Sequence, residues 1–267
     1  MIKRQPAVAG IFYPSDRDEL LKEVDNYLCL DTSPRPAIMT VLPHAGYVYS
    51  GATAGAVLAN TVVPNRVILL GPKHRSLGIR GATAVADVWS FPFGDVLIDR
   101  ETTNKIVALT SLKPDDLAHR EEHSLEVEVP FLWRRNPSVK ITPIALGLHK
   151  ISELKEIGQA IAQVISQSSE PILIATSTDM SHQIPINEAA RLDNMAIEQM
   201  LAINPTKLYE TVFSNNITMC GVIPTTTALF AAAALGATET SLINYTTSAE
   251  ASGDTSQVVG YAGIVIR

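Results

Sequence analysis

Cysteine is scarce in this 267-residue chain, which has two, Cys29 and Cys220. That is no disulfide framework, and it fits a reducing compartment. Clustered positive charge is missing as well. Asp and Glu outnumber Lys and Arg by 27 to 21, giving a net charge of −6 with no long basic run, so an electrostatic grip on nucleic acid is not expected. No apolar run reaches the length of a membrane span; the best candidate, ALFAAAAL at 228–235, suits a core helix. The opening MIKRQPAVAGIFYPSD has an apolar stretch too short, and too broken by Gly10 and Pro14, for a signal peptide. A cytoplasmic protein without a membrane partner is the expectation. Internal repeats and linkers rich in Gly, Ser or Pro are also lacking, so a single domain over residues 1–267 is expected.

What is present is apolar and finely divided. Hydrophobic residues make up 46% and charged residues 18%, enough for a large core. Short apolar runs recur: AIMTVL (37–42), RVILLG (66–71), VKITPIALG (139–147), PILIATS (171–177), SLINYT (241–246) and VVGYAGIVI (258–266). Most are apolar on successive residues rather than on alternate ones, the pattern of strands covered on both faces, as in parallel sheets. Helical patterns lie between them, at Asp16–Leu30, Ser50–Asn60 with Ser50 as N-cap, Glu122–Arg134, Ile151–Gln167, Ile186–Leu201 and Pro224–Ala234. The alternation predicts an α/β domain with a central, largely parallel or mixed sheet and helices on both faces. Segment 80–100 reads as an antiparallel excursion around the turn PFGD.

In open α/β sheets ligands bind beyond the carboxyl ends of the strands. Four of the six histidines follow predicted strand ends: His44 after 37–42, His74 after 66–71, His149 after 139–147 and His182 after 171–177, the last with Asp179 beside it. A fifth, His123, opens the predicted helix EEHSLEVEVPFLW. In a parallel sheet these ends share one edge, which gathers imidazoles and a carboxylate into one crevice. Such a cluster suits a transition metal, for which neutral imidazole is a strong ligand, and equally suits acid/base catalysis. Loops tolerate histidine, so any one of them alone carries little weight; the set favours function. Cys220 lies in a turn before a predicted helix, where a thiol has a lowered pKa, and either metal ligation or nucleophilic work fits it. Cys29, in NYLCL, reads as a small buried hydrophobe.

Seven motifs occur in order: AGIFYP (9–14), PHAGYVYSG (43–51), GPKHR (71–75), EEHSLEVEVPFL (121–132), STDMSH (177–182), MCGVIP (219–224) and GDTSQVVGYAG (253–263). Together they resemble the Memo family, also called AmmeMemoRadiSam system protein B, over nearly the whole chain. The resemblance implies a fold related to the class III extradiol dioxygenases, which use non-haem iron. It implies a metal site of His44, His74 and Cys220, with Asp179 and His182 lining the same pocket. It also implies radical-SAM and AMMECR-type proteins as partners. The dioxygenases hold iron with two histidines and a carboxylate. A cysteine in the third place shifts preference toward copper or zinc, and Asp179 is the alternative third ligand.

The expectation is therefore a metal-dependent redox protein, an oxidoreductase or dioxygenase-like enzyme with one iron or copper ion, or zinc in a less favoured case, and an unknown small molecule or peptide as substrate. His182 or His123 would move protons, and Asp179 would orient a ligand or join the metal. Tyr47 is expected to line the pocket ahead of Tyr49, and Arg75 to meet a carboxylate or phosphate on the substrate. Glu126 reads as structural. Two alternatives stand beside this: a non-catalytic peptide- or protein-binding module, and a zinc hydrolase with Asp179 as general base. The glycines of SGATAGA (50–56) and GVI (221–223) lack the spacing of a phosphate loop and suggest close helix–sheet packing. Asp254 reads as part of a turn, and His119 and His149 as peripheral.

Overall fold

The computed structural model describes residues 1–28, 32–147 and 150–267. In chain order the elements are β1 (Lys3–Arg4), α1 (Arg17–Leu28), β2 (Met39–Leu42), α2 (Tyr47–Ala59), β3 (Arg66–Pro72), β4 (Gly81–Thr83), β5 (Val88–Phe91), β6 (Gly94–Ile98), α3 (Arg100–Leu109), β7 (Lys113–Pro114), α4 (Leu117–Arg120), α5 (Val129–Arg135), β8 (Lys140–Leu146), α6 (Ile151–Ser166), β9 (Ile172–Ser177), β10 (His182–Ile184), α7 (Ile186–Leu201), α8 (Pro205–Ser214), α9 (Val222–Ala234), β11 (Thr240–Thr247), α10 (Ala249–Ser252) and β12 (Val258–Ile266). Among the described residues, twelve strands form one mixed sheet in the order β1-β5-β6-β8-β3-β9-β2-β12-β10, with β11 also on β12 and β4 on β8.

Strands β6, β8, β3, β9 and β2 are mutually parallel neighbours. β12 runs antiparallel to β2, and β11 antiparallel to β12. All six expected strands are present, and the sheet is mixed, because β12 reverses direction, while β11, antiparallel to β12, runs with the parallel set again. β12 is nonetheless buried along almost its whole length, so a continuous apolar run reports cover on both faces rather than strand direction.

Successive residues of β3 show why the runs are continuous. Ile68 and Leu70 enter a core shared with α6, α7, α8 and α9. Val67 and Leu69 enter a second core shared with α1, α2 and α5. Strand side chains alternate between faces, so a strand sandwiched by two helix layers must be apolar at every position. The antiparallel excursion is the β5–β6 hairpin, closed by Pro92-Phe93 with Phe91 opposite Gly94.

Two helical expectations need correction. α2 starts at Tyr47 with Gly46 as N-cap, not at Ser50. The Tyr47 N–H donates to the carbonyl of Phe12 (2.8 Å), so another segment's backbone satisfies the helix start. Ser50 sits inside the first turn and donates to the Ala45 carbonyl (2.9 Å). The span 122–134 is not one helix either. α4 ends at Arg120, Glu122 and His123 lie in a loop, a 3-10 turn covers Glu126–Glu128, and α5 follows. The expected close packing of small residues is real, but Gly55 serves helix–helix contact: a Cβ there would lie 2.4 Å from the Tyr27 carbonyl of α1. Cys29 and His149 fall outside the described residues.

His119, which the sequence placed at the periphery, is fully buried with its ring against Trp89 (centroids 5.6 Å apart). Burial, and then the charge of Arg4, push its pKa down to about 4. A histidine held below its unfolded value of about 6.5 contributes stability that is full above that pH and lost as pH falls toward 4. Wild-type protein should therefore lose more stability to urea between pH 7 and pH 5 than a His119→Leu variant, and equal losses would contradict this account of His119.

Candidate metal centre

The parallel strands fix where the site lies. β2 ends at Leu42, β3 at Pro72 and β9 at Ser177, and they are neighbours in the order β3-β9-β2. His44, His74 and Asp179 each follow two residues later, so one sheet edge receives all three. His123 comes from the loop between α4 and the 3-10 turn. Cys220 comes from the turn that opens α9, and Gly221 lets that turn approach β9. A Cβ at Gly221 would lie 2.3 Å from Thr178 Cβ, so only glycine permits this approach.

His44, His74 and His123 converge. One ring nitrogen from each can be chosen so that all three lie within 4.8 Å of one another. His74 and His123 stack with centroids 4.7 Å apart and planes 19° apart, and His44 meets both edge-on at 5.2 and 5.4 Å. Cys220 stands outside that histidine set but touches His44, with Sγ 3.2 Å from Nε2. Asp179 Oδ2 is 4.0 Å from the same Nε2, while its Oδ1 accepts the His44 backbone N–H (2.7 Å). The Asp179 N–H in turn points at Cys220 Sγ (3.3 Å).

The Nδ1 atoms of two histidines are already engaged. His74 Nδ1 lies 2.9 Å from Glu122 Oε1, and His44 Nδ1 lies 2.7 Å from Ser177 Oγ. Glu122 also accepts the backbone N–H groups of His74 (2.5 Å), His123 (3.0 Å) and Ser124 (3.0 Å). These bonds fold residues 122–124 into a loop and prevent a helix there. Burial raises the Glu122 pKa, but the hydrogen bonds and charge of His74 dominate and hold it well below the usual carboxylate range. A carboxylate on a histidine's far nitrogen fixes its tautomer and turns the near nitrogen toward a ligand.

A buried ion pair anchors this loop to the N-terminal segment. Arg4 Nη1 meets Glu126 Oε2 at 2.7 Å, and Arg4 also donates to the carbonyls of His119 and Glu122. Glu126 accepts from Ala7, Val8 and Tyr13 as well. Every oxygen of this buried carboxylate is bonded, which makes Glu126 structural.

Other sequence expectations find different places. Cys220 does not have a lowered pKa; burial, and then the charge of Asp179, push its thiol well up. The helix terminus does not offset desolvation, and a thiol in such a place ionises when a cation displaces its proton. Tyr47 is buried against Tyr13, Tyr27 and Phe131, and its hydroxyl donates to the Val127 carbonyl. Tyr49 is the exposed one, and it lines a cleft of about 290 Å3 with Ser248, Ser252, Asp254, Gln257, Val259 and Tyr261. Arg75 is exposed beside the site. His182 is half-buried, with Nδ1 2.9 Å from the Thr218 carbonyl, which leaves Nε2 available. Burial pushes the His123 pKa down to about 4 and the Asp179 pKa up to about 6. His44 is likewise driven well below its ordinary value by burial and then by His123 and His74. Neutral imidazole is the ligating form.

The donors fit a transition metal. Nitrogen and sulfur donors suit zinc, copper or iron, not magnesium or calcium. Two ligands of one tetrahedral ion, with bonds of about 2.0 and 2.3 Å, lie roughly 3.5 Å apart, close to the 3.2 Å between His44 Nε2 and Cys220 Sγ.

The pattern of Memo-like proteins matches residues 4–265. The chain belongs to the Memo-like family. A MEMO1 family protein of Aquifex aeolicus is 41% identical over 266 residues, covering 98% of each chain. One of Methanopyrus kandleri is 38% identical, covering 100% of this chain and 99% of its own. The crystal structure of the uncharacterized protein JW3007 from Escherichia coli K12 shares the fold at 10% identity, with a TM-score of 0.54, covering 85% of this chain and 98% of its own. Among the described residues of this Memo-like chain, no helix is long and apolar enough to cross a membrane.

Glu122 and Ser177, which hold the Nδ1 atoms of His74 and His44, are not singled out in the sequence. Glu122 had a visible sign, an acidic pair directly before His123. Ser177 had a fainter one, a polar end to an otherwise apolar strand. Replacing Glu122 by Gln puts an N–H donor or a weaker acceptor where donors converge. Glu122→Gln should cost about 1–3 kcal/mol in urea unfolding and weaken Zn(II) or Co(II) binding roughly 10- to 100-fold; wild-type affinity in a folded variant would remove Glu122 from the site.

Proposed function

We propose that this Memo-like protein binds one transition-metal ion through His44, His74 and Cys220 and works as a metal-dependent redox protein on a small molecule or peptide, with iron or copper as the favoured ions. The observation that carries the reading is the meeting of nitrogen and sulfur donors at one sheet edge, three histidines within 4.8 Å and Cys220 Sγ at 3.2 Å from His44 Nε2. Iron or copper bound there would supply one-electron chemistry and open positions for oxygen or substrate.

The protein's own groups divide the remaining tasks. Asp179 fixes the His44 backbone and keeps an oxygen near Nε2. With a pKa near 6 it exchanges a proton close to neutrality. His123, neutral and stacked on His74, offers a base beside the same centre. His182, tied at Nδ1, keeps Nε2 for proton transfer. The Tyr49–Tyr261 cleft is the substrate approach. Met180, next to Asp179, donates its N–H to the carbonyl of Gly260, next to Tyr261 (2.8 Å), which supports an approach from this cleft toward that carboxylate. Arg75 serves an anionic group on the substrate.

Anaerobic titration should give one Fe(II) or Cu(I) per chain, lost in a His44→Ala/His74→Ala variant. Oxygen uptake with iron or copper, but not with zinc, would support the redox reading. Zinc-only binding with chelator-sensitive hydrolysis would replace it with a hydrolase.

One observation favours a second reading, a binding module. Ile11, Val48 and Tyr49 are exposed (77, 66 and 44%) on segments that also carry Phe12, packed on His123, and His44. An apolar rim of that kind suits capture of a peptide. Under this reading Cys220→Ser leaves peptide binding unchanged; under the redox reading it abolishes turnover in a folded protein.

A further inference from the structure

Ser177 Oγ has three close partners: the Ser124 carbonyl at 2.7 Å, Glu128 Oε1 at 2.8 Å and His44 Nδ1 at 2.7 Å. A serine hydroxyl carries one proton and two acceptor positions. The Ser124 carbonyl can only accept, so it takes the hydroxyl proton. The other two neighbours must then donate to Ser177 Oγ, which requires a proton on His44 Nδ1 and a proton on Glu128.

Glu128 is 1% exposed, and no protein donor among the described residues reaches its second oxygen. An ionised carboxylate in that position would leave a buried charged oxygen unpaired, whereas the acid form leaves only a neutral carbonyl oxygen. Burial, with Asp179 nearby, raises its pKa well above the ordinary value. No arginine or lysine is paired with it among the described residues, in contrast to Glu126, which holds Arg4.

We infer that a protonated Glu128 and Ser177 form a buried clamp that locks His44 in its Nδ1–H tautomer and so turns the Nε2 lone pair toward the centre. The consequence is an asymmetric pair of histidines. His74 is backed by an ionised carboxylate, Glu122, which makes it the more electron-rich ligand. His44 is backed by a neutral hydroxyl and acid, which orient it without adding charge to a crevice that already contains Asp179. Glu128 is thus a positioning residue acting through Ser177. The role of the clamp at a metal rests on the reading of the site as a metal centre, but the tautomer it imposes does not.

The test uses metal-free and zinc-titrated full-length protein. Nitrogen-15 NMR of the histidine rings should show His44 as the Nδ1–H tautomer in metal-free wild type, and the infrared spectrum should contain a protonated-carboxyl band that disappears in Glu128→Gln. Because an amide N–H donates as the acid O–H does, Glu128→Gln should keep the tautomer and hold Zn(II) affinity within about threefold. Ser177→Ala should lose the single tautomer and weaken Zn(II) roughly 10- to 100-fold, with Ser177→Thr restoring both. Far-UV circular dichroism verifies folding of each variant. A wild-type Nε2–H tautomer, or no protonated-carboxyl band assignable to Glu128, would overturn the clamp. If the tautomer and band are as expected but wild type takes up no metal, the clamp stands and the metal reading falls.

Discussion

Glu122 is 1% exposed, and its carboxylate stays ionised because four N–H groups converge on it: the backbone and Nδ1 of His74, and the backbones of His123 and Ser124. A buried charge without partners would cost many kcal/mol, so this convergence is a condition for the loop's shape. It joins the end of β3 to the loop after α4, segments nearly fifty residues apart in the chain. With it, His74 and His123 stack in the mouth of the sheet; without it, residues 121–125 would be free to continue the helical pattern that their sequence suggests. Arg4 and Glu126 secure the other side of the same loop, which ties the N-terminal strand to the site by a fully bonded buried ion pair.

The sheet supplies the second constraint. Three adjacent parallel strands end in step, so the residues two positions beyond them, His44, His74 and Asp179, arrive together. The cost of that assembly is visible in the protonation states. Burial drives His44 and His123 toward neutrality and raises the pKa values of Asp179 and Cys220, all of which lowers the charge stored in the crevice. Groups held neutral by desolvation are ready to ligate a cation, which supplies the charge that the crevice otherwise rejects.

The strand positions were legible because a two-sided sheet forces apolar residues at every position, and that signal survives in one sequence. The reversal of β12 was not, because burial is the same for parallel and antiparallel strands. The segment 122–124 has a helical period in Glu122, His123 and Glu126 but forms a loop, because its shape depends on hydrogen bonds from the distant His74 segment. Tyr47 and Tyr49 differ by two residues, yet one is core and the other lines a cleft. The earlier start of α2, set by the Phe12 carbonyl, decides which is which. Four histidines were readable as strand-end residues and His123 as a candidate proton mover, while the meeting of His123 with His44 and His74 within 4.8 Å came from the fold. Ser177 and Glu128 carried almost no signal, because their importance lies in the number of protons shared among three oxygens and one nitrogen.

The most direct test of the metal centre is anomalous X-ray scattering, measured on either side of the metal's absorption edge, from crystals loaded anaerobically with Fe(II). One peak per chain is expected, within bonding distance of His44 Nε2, His74 Nε2 and Cys220 Sγ. A peak elsewhere, or none at that sheet edge despite full loading, would contradict a metal centre there.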